Sequence, residues 1–155
     1  MKDLIDKQDG ENEARKAWMS LLAKAPAGRV AALLAAAVDA PAFTWLRPPE
    51  IGSTMVRGRA GGTGAPFNLG EMTVTRCALR LSDGAIGHAY IQGRRKDDAQ
   101  AAAIVDALMQ TDQAATLRKQ ILTPLRKEMD SAKATRAAKA AATKVDFFTM
   151  ARGED

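Results

Sequence analysis

Cysteine, histidine and aromatic residues are scarce in this sequence of 155 residues. Cys77 is the single cysteine, His88 is the single histidine, and aromatic residues make up 5% of the chain. A disulfide framework needs paired cysteines, and a zinc site needs three or four protein ligands. The composition therefore excludes a disulfide-bonded scaffold. We predict no metal site and no complete catalytic set in this chain.

Long apolar runs are also missing. No window approaches the roughly 18 consecutive apolar residues that a membrane helix requires, and the start, Met1–Asp6, has no apolar signal region. We therefore expect a cytoplasmic protein without a membrane association. The net charge of +5 and the isoelectric point near 9.6 permit an acidic partner. We do not expect nucleic-acid binding, because the basic residues lack interleaved aromatics and any known reader motif.

Two helices are predicted at the N-terminus. Asn12 can cap the first helix, which leaves residues 1–11 as a flexible polar terminus. Pro26 suits the first turn of the second helix, which ends near Asp39. The two helices are expected to form a helical hairpin.

The middle of the chain has a strand pattern. Runs of β-branched and aromatic residues predict strands at 43–46 and 53–59, with Pro48-Pro49 between them, and at 72–81 and 86–92. Residues 82–84, Ser-Asp-Gly, favour a tight turn, so the last two strands form a hairpin. We therefore predict an α+β fold with a small antiparallel sheet of about four strands, an N-terminal helical hairpin and long C-terminal helices.

Helical patterns return after the sheet. Lys96–Gln110 is predicted to be an amphipathic helix, and a further helix begins near Asp112. Thr123-Pro124 predicts a kink or a fresh start in that helix. We divide the chain into the flexible N-terminus, a single domain over residues 12–144 and a C-terminal docking tail over residues 145–155.

The first candidate binding site is a glycine-rich loop over residues 61–70, which is predicted to have no regular structure. Its backbone N–H groups, together with the two arginines before it, can cradle a phosphate or phosphonate. The GK[ST] ending is missing and the loop lies between two strands, so it is not a Walker loop. A flexible connection or a contact with a partner subunit remains an alternative. The candidate residues are Arg57, Arg59, Gly61, Gly62, Thr63 and Gly64.

The second candidate site is on the strand Met72–Leu81. Alternation along the strand places Arg76 and Arg80 on one face. Two arginines on one sheet face favour an anion, whereas a solvated or interface-facing surface with acidic partners is the competing interpretation.

Three residues with reactive side chains have structural interpretations. Cys77 alternates onto the apolar face of its strand and is predicted to be a small core residue. His88 is expected to be a hydrogen-bonded structural histidine, with a general base as the alternative. Asp106 is expected on a helix surface.

The C-terminal tail is the predicted docking segment. Asp146 is placed within an apolar stretch, where a buried charge needs a partner such as an arginine from another chain. Aromatic anchors are typical of interfaces, although a local core plug is an alternative. The predicted docking residues are Asp146, Phe147, Phe148, Met150 and Arg152.

Several of these segments, taken in order, carry a family resemblance. They are Ala17–Ala23, Gly61–Gly64, Phe67, Gly70–Cys77, Gly93-Arg94, Asp106–Gln110 and Val145–Gly153. Together they resemble the G-subunit (PhnG) family of the bacterial carbon–phosphorus lyase system, from about residue 15 to residue 153. The sequence departs from the expected pattern at Arg95 and Gln100.

The resemblance implies a subunit of α-D-ribose 1-methylphosphonate 5-triphosphate synthase, which acts with the H, I and L subunits. That assembly replaces the adenine of ATP by methylphosphonate, so MgATP is a substrate of the complex and no cofactor is expected on this chain alone. The resemblance also implies a core complex with the H, I and J subunits, J being the radical iron–sulfur lyase of the next step. The I subunit is expected to contain the catalytic site and to be the chief docking partner. A purely structural adaptor without substrate contact is the alternative role.

Overall fold

The structure, a computed structural model, describes residues 2–39 and 41–145, with side chains from Asp9 onward. Two helices precede a run of three strands, and three further helices follow. The elements are α1 (Lys2–Ala23), α2 (Arg29–Ala37), β1 (Phe43–Arg59), β2 (Pro66–Leu81), β3 (Ile86–Gln92), α3 (Lys96–Leu108), α4 (Ala114–Leu117) and α5 (Thr123–Ala142), with a 3₁₀ turn at Ala60–Gly62 and a π-helical turn at Arg118–Leu122. The predicted α+β class is confirmed.

The sheet has three antiparallel strands in the order β1-β2-β3. The two strands predicted at 43–46 and 53–59 form one strand, β1, which runs through Pro48-Pro49 with one register shift before the prolines and another across them. Proline cannot donate a ladder hydrogen bond, but an edge strand needs no donor on its outer side. This position of β1 at the sheet edge explains the lower strand count.

The helix start predicted at Asn12 is wrong, because α1 begins at Lys2. The preceding polar segment contains no proline, and Gly10 costs only about 1 kcal/mol within a helix, so the helix continues through it. The division of the chain into terminus, domain and tail stays a prediction.

A side chain of α3, Asp98, holds the turn between the N-terminal helices in place. Gly28 has a positive φ of 74°, and its N–H donates to Asp98 Oδ2 at 2.7 Å. The N–H of Ala31 donates to Asp98 Oδ1 at 3.3 Å. Asp98 is buried, so its carboxylate caps α2 by satisfying N–H groups of the first turn. Both N-terminal helices pack more closely on α3 than on each other.

The core lies between α3 and one face of the sheet. Alanines cover the buried face of α3, which brings the helix close to β3 at Gly87, where a Cβ atom would lie 1.8 Å from the Ala103 carbonyl oxygen. Larger side chains from α1, β2, β3 and the C-terminal helical segments complete the core; those fully buried include Leu22, Leu79, Ile91, Leu117, Ile121 and Leu125. None of the described helices is long and apolar enough to cross a membrane.

The C-terminal helices end in an unpacked extension. A π-helical turn directly precedes α5, whose first turn contains Pro124, so the predicted break at this proline is confirmed. Leu125 is buried and Met129 is half-buried, whereas the side chains of residues 131–142 are exposed. The second half of α5 therefore projects from the domain.

Candidate functional site

A long β-hairpin arm projects from the sheet. The pairing of β2 with β3 ends at Val74 and Gln92, whereas the pairing of β1 with β2 continues to Arg59 and Pro66. Residues 53–73, which we call the arm, therefore have no third strand beside them. Seven residues from Ser53 to Arg59 rise about 20 Å. The predicted structureless loop over residues 61–70 is wrong for Pro66–Gly70, which belong to β2.

The glycines form the tip of the arm. Gly61 and Gly62 have positive φ values of 59° and 79°, which favour glycine over any residue with a Cβ. The Gly64 N–H donates to the Ala60 carbonyl at 2.9 Å, and Arg59 Nη1 donates to the Gly64 carbonyl at 3.0 Å. The tip, including Thr63, is thus a hydrogen-bonded turn in which Arg59 already has one partner.

The predicted anion-binding residues fall into two groups. Arg57 and Arg59 lie at the arm tip, where Arg57 pairs with Asn68, while Arg76 pairs with Glu50 in the body of the sheet. Along β1, Arg57 is seven positions after Glu50, which corresponds to about 23 Å. Arg76 and Arg80 share a face as predicted, but no single phosphonate can touch both groups. Their anion-binding role stays a prediction.

Arg76 lies at the centre of a polar cluster on the open face of the sheet. Its Nε donates to Glu50 Oε1 at 2.6 Å, and Arg47 Nε lies 3.6 Å from the same oxygen. A hydrogen bond to Tyr90 and the ion pair with Glu50 raise the pKa of Arg76 above its ordinary value. The predicted acidic partner of this face is thus in the same chain.

His88 lies on the same face of the sheet, opposite Ala78. Its imidazole is exposed and has no hydrogen-bond partner among the described residues, so the expected side-chain hydrogen bond is not formed. The backbone N–H of His88 instead donates to Asp106 Oδ2 at 2.9 Å. The backbone of His88 thus joins β3 to α3, whereas its imidazole is exposed to solvent.

The arm exposes large apolar side chains. Ile51 precedes it at 46% exposure, and Met55, Phe67 and Leu69 within it are exposed by 51%, 44% and 66%. Phe67 and Leu69 lie beside Gly58, where a Cβ atom would be within ordinary van der Waals contact of both side chains. A two-stranded hairpin is marginally stable in water without a further packing surface, so this arm has the character of a segment that another molecule covers.

The outer edge of β1 is also unprotected. Residues 51–56 carry no charge, and Glu50 and Arg57 flank them. Soluble proteins protect sheet edges with charges, prolines or bulges because an exposed edge pairs with other strands. Pro48 and Pro49 protect only the preceding part of β1.

A buried carboxylate that the sequence analysis placed on a helix surface ties α1 to the sheet. Asp106 is fully buried and accepts hydrogen bonds from Arg15 Nη2 at 2.7 Å, Arg15 Nε at 3.1 Å and Trp18 Nε1 at 2.9 Å. Its position within the apolar run of α3 was the signal for burial, and Arg15 and Trp18 lie one helical turn apart on α1. We interpret this cluster as structural, because the Asp106 carboxylate is fully buried and its contacts join α1 to α3.

Cys77 is a core residue, as predicted. Its side chain is buried and its Sγ donates to the Ala99 carbonyl at 3.1 Å. Burial raises the pKa of the thiol to about 11, so the thiol is protonated at neutral pH. Within residues 2–39 and 41–145, no group of three histidine, cysteine, aspartate or glutamate side chains is arranged to hold a metal ion. The predicted docking residues of the tail, 146–152, lie outside the described residues.

Comparison with known proteins assigns a family to this architecture. A family model described as phosphonate metabolism protein PhnG matches residues 13–153. A protein from Rhizobium meliloti (strain 1021), named alpha-D-ribose 1-methylphosphonate 5-triphosphate synthase subunit PhnG, is 43% identical over 141 residues, which cover 91% of this chain and 90% of that protein. The chain therefore belongs to the PhnG family of phosphonate metabolism proteins.

Proposed function

We propose that the chain is a subunit of an α-D-ribose 1-methylphosphonate 5-triphosphate synthase and that it acts by binding other subunits of the carbon–phosphorus lyase system. The observation that carries this proposal is the match over 91% of the chain to a relative of that name. The proposed partners are the H, I, J and L subunits, with the I subunit as the chief partner. MgATP is the substrate of the complex, and this chain by itself holds no cofactor.

The proposed assembly joins methylphosphonate to the ribose of ATP. An oxygen of methylphosphonate forms a bond to C1′, the bond between C1′ and adenine breaks, and adenine leaves with the electron pair and takes up a proton. General acid catalysis of such a step needs a titratable group at the leaving base. Because the family resemblance implies that the I subunit carries this chemistry, we assign the step to that partner subunit.

The arm supports the assembly role. It has an unpaired edge, exposed apolar side chains on both strands and no packing of its own against the helices. Interface cores are apolar and carry aromatic or methionine anchors; Met55 and Phe67 supply such side chains. The tail residues Asp146–Arg152 are a second proposed docking segment.

Removing the arm is expected to abolish assembly without unfolding the chain. Ser53 and Thr73 are paired, so an Asn-Gly turn in place of residues 54–72 closes a tight hairpin between them. Co-expression with the cognate H, I and J subunits, followed by affinity purification, measures assembly. We expect the shortened chain to keep its helical circular dichroism and to lose co-purification.

A point variant and its control sharpen this test. Replacing both Phe67 and Leu69 by serine is expected to weaken co-purification, whereas Leu46→Ser is expected to leave it unchanged, because Leu46 is 47% exposed but lies outside the arm. Undiminished assembly by the shortened chain would show that the arm is not the docking element.

A second role, direct contact with substrate, is favoured by the arm tip. Arg57 is exposed, and the tip glycines can present backbone N–H groups to a phosphonate or triphosphate. Replacing Arg57 and Arg59 by alanine in the assembled complex distinguishes the roles. If the tip binds substrate, KM for methylphosphonate or ATP rises about tenfold or more, because one or two charge-assisted hydrogen bonds to the substrate are lost. An unchanged KM with intact assembly supports a purely structural adaptor role without substrate contact.

Arg76→Ala is the matched control for that experiment. Arg76 pairs with Glu50 in the body of the sheet, at a distance from the tip, so an unchanged KM for Arg76→Ala beside a raised KM for the Arg57 and Arg59 variant would place the anion site at the tip. A rise in KM with Arg76→Ala alone would indicate that the anion binds on the open face of the sheet.

A further inference from the structure

A groove lies between α1 and the start of α5. Its main part has a volume of about 530 Å³ and an apolar lining that includes Trp18, Leu21 and Leu122. A second hollow shares Ala17, Leu21, Arg126 and Asp130 with it and extends to Met129. The two form one continuous channel, which we call the α1–α5 groove.

The rim of this groove is strongly basic. Five cations line it against one acidic residue, Asp130; they are Lys24, Arg118, Arg126, Lys127 and Lys133. Among the described residues, Arg118, Arg126, Lys127 and Lys133 form no ion pairs. An apolar floor beneath unpaired cations favours a peptide that combines large apolar side chains with carboxylates.

The chain itself contains such a peptide. Residues 146–155 read DFFTMARGED and carry three carboxylates, one arginine and the apolar anchors Phe147, Phe148 and Met150. We propose that the α1–α5 groove binds this tail of the same chain, with the aromatic side chains on the apolar floor and the acidic residues at the basic rim.

The length of the chain fits this arrangement. The helical hydrogen bonds continue to Lys144, whose N–H donates to the Ala141 carbonyl at 3.2 Å, so the chain rises about 22 Å from Met129 to Lys144. Six extended residues from Lys144 to Met150 span about 20 Å. A tail that turns back along α5 thus brings Met150 to the level of Met129 and Phe148 to the end of the groove near Lys133, and the final carboxylates of the segment reach the π-helical turn that contains Arg118.

The inference goes beyond the proposed function and has a consequence for it. The aromatic anchors cannot lie in the groove and on another subunit at the same time. Docking of the tail on a partner therefore requires its release from the groove, and until then the groove shields two phenylalanines that would otherwise promote association.

Chymotrypsin cleavage of the isolated full-length chain tests the proposal, because this protease cuts after phenylalanine. Cleavage after Phe147 and Phe148 is followed by mass spectrometry and normalised to cleavage after Phe67 on the arm. Charge reversal with Arg126→Glu and Lys127→Glu is expected to speed tail cleavage about tenfold, since cleavage tracks the population of the undocked tail. Both residues are exposed, and circular dichroism checks the fold of the variant.

Lys119→Glu is the matched control. Lys119 is exposed on the π-helical turn but does not line the groove, so tail cleavage should stay within about twofold of the parent rate. Equal cleavage rates in the parent and the double variant would overturn the proposal. Protection that disappears on dilution would also overturn it, since the tail would then occupy the groove of a second copy. These measurements use no partner subunit, so their failure leaves the proposed function standing.

Discussion

Replacing Gly87 with alanine is expected to prevent the chain from reaching its native fold. The new Cβ atom would lie 1.8 Å from the Ala103 carbonyl oxygen and 2.9 Å from the Ala107 nitrogen. Both are backbone atoms of α3, so no side chain can rotate away, and the helix would have to move off β3. Ordinary overpacking costs about 1–3 kcal/mol. We expect a loss above about 4 kcal/mol because the displaced element covers the core.

Urea denaturation followed by circular dichroism measures this effect, and Gly52→Ala is the control. Gly52 also lies in a strand of the sheet, but a Cβ atom there meets nothing within 4 Å. Its substitution is expected to change the free energy of unfolding by less than about 1 kcal/mol. A Gly87→Ala chain with parental stability would mean that α3 and β3 can separate without cost.

Asp106→Ala is expected to cost about 3–5 kcal/mol of unfolding free energy, the range for a buried ion pair that loses one partner. The carboxylate accepts from Arg15, Trp18 and the His88 backbone. Its removal leaves the buried Trp18 N–H and the backbone N–H of His88 without an acceptor. The expected readout is a lower urea midpoint with an unchanged denaturant slope.

Two variants show whether Asp106 acts through these contacts. Asp97→Ala removes an exposed carboxylate of the same helix and is expected to change stability by less than about 0.5 kcal/mol. The double variant Arg15→Ala and Asp106→Ala is expected to be less destabilised than the sum of its single variants, because the two residues form one contact. Additive losses would mean that the ion pair contributes nothing beyond its separate parts.

The local elements were predictable where short-range chemistry decides them. Ser82-Asp83-Gly84 specifies the hairpin, in which Gly84 has a φ of 93° and Asp83 accepts from the Ala85 N–H. Alternation along β2 placed Cys77 in the core and Arg76 on the opposite face. Pro124 correctly predicted the irregular turn before α5. In each case the deciding interactions lie within a few residues of each other.

The remaining features depend on contacts between distant parts of the chain. Pro48-Pro49 ends a strand in isolation, and only the edge position of β1 lets it continue. Asp106 looked like a solvent-exposed helix residue because its partners on α1 lie 91 and 88 positions away in sequence. The distance between the two candidate anion sites, at the arm tip and on the face of β2, could not be predicted for the same reason. The arm separates Arg57 from Arg76 along a strand whose length was not evident.

Substitutions in the unpacked arm are expected to affect binding to a partner more than the stability of this chain. Residues 54–72 contribute little to the cooperative unfolding of the domain, so many substitutions there would pass any screen for the stability of the isolated chain. In the assembly proposed above, their cost would appear only when a partner surface covers Met55, Phe67 and Leu69. Compensating changes for arm substitutions should therefore be sought in the partner's sequence and not in the rest of this chain.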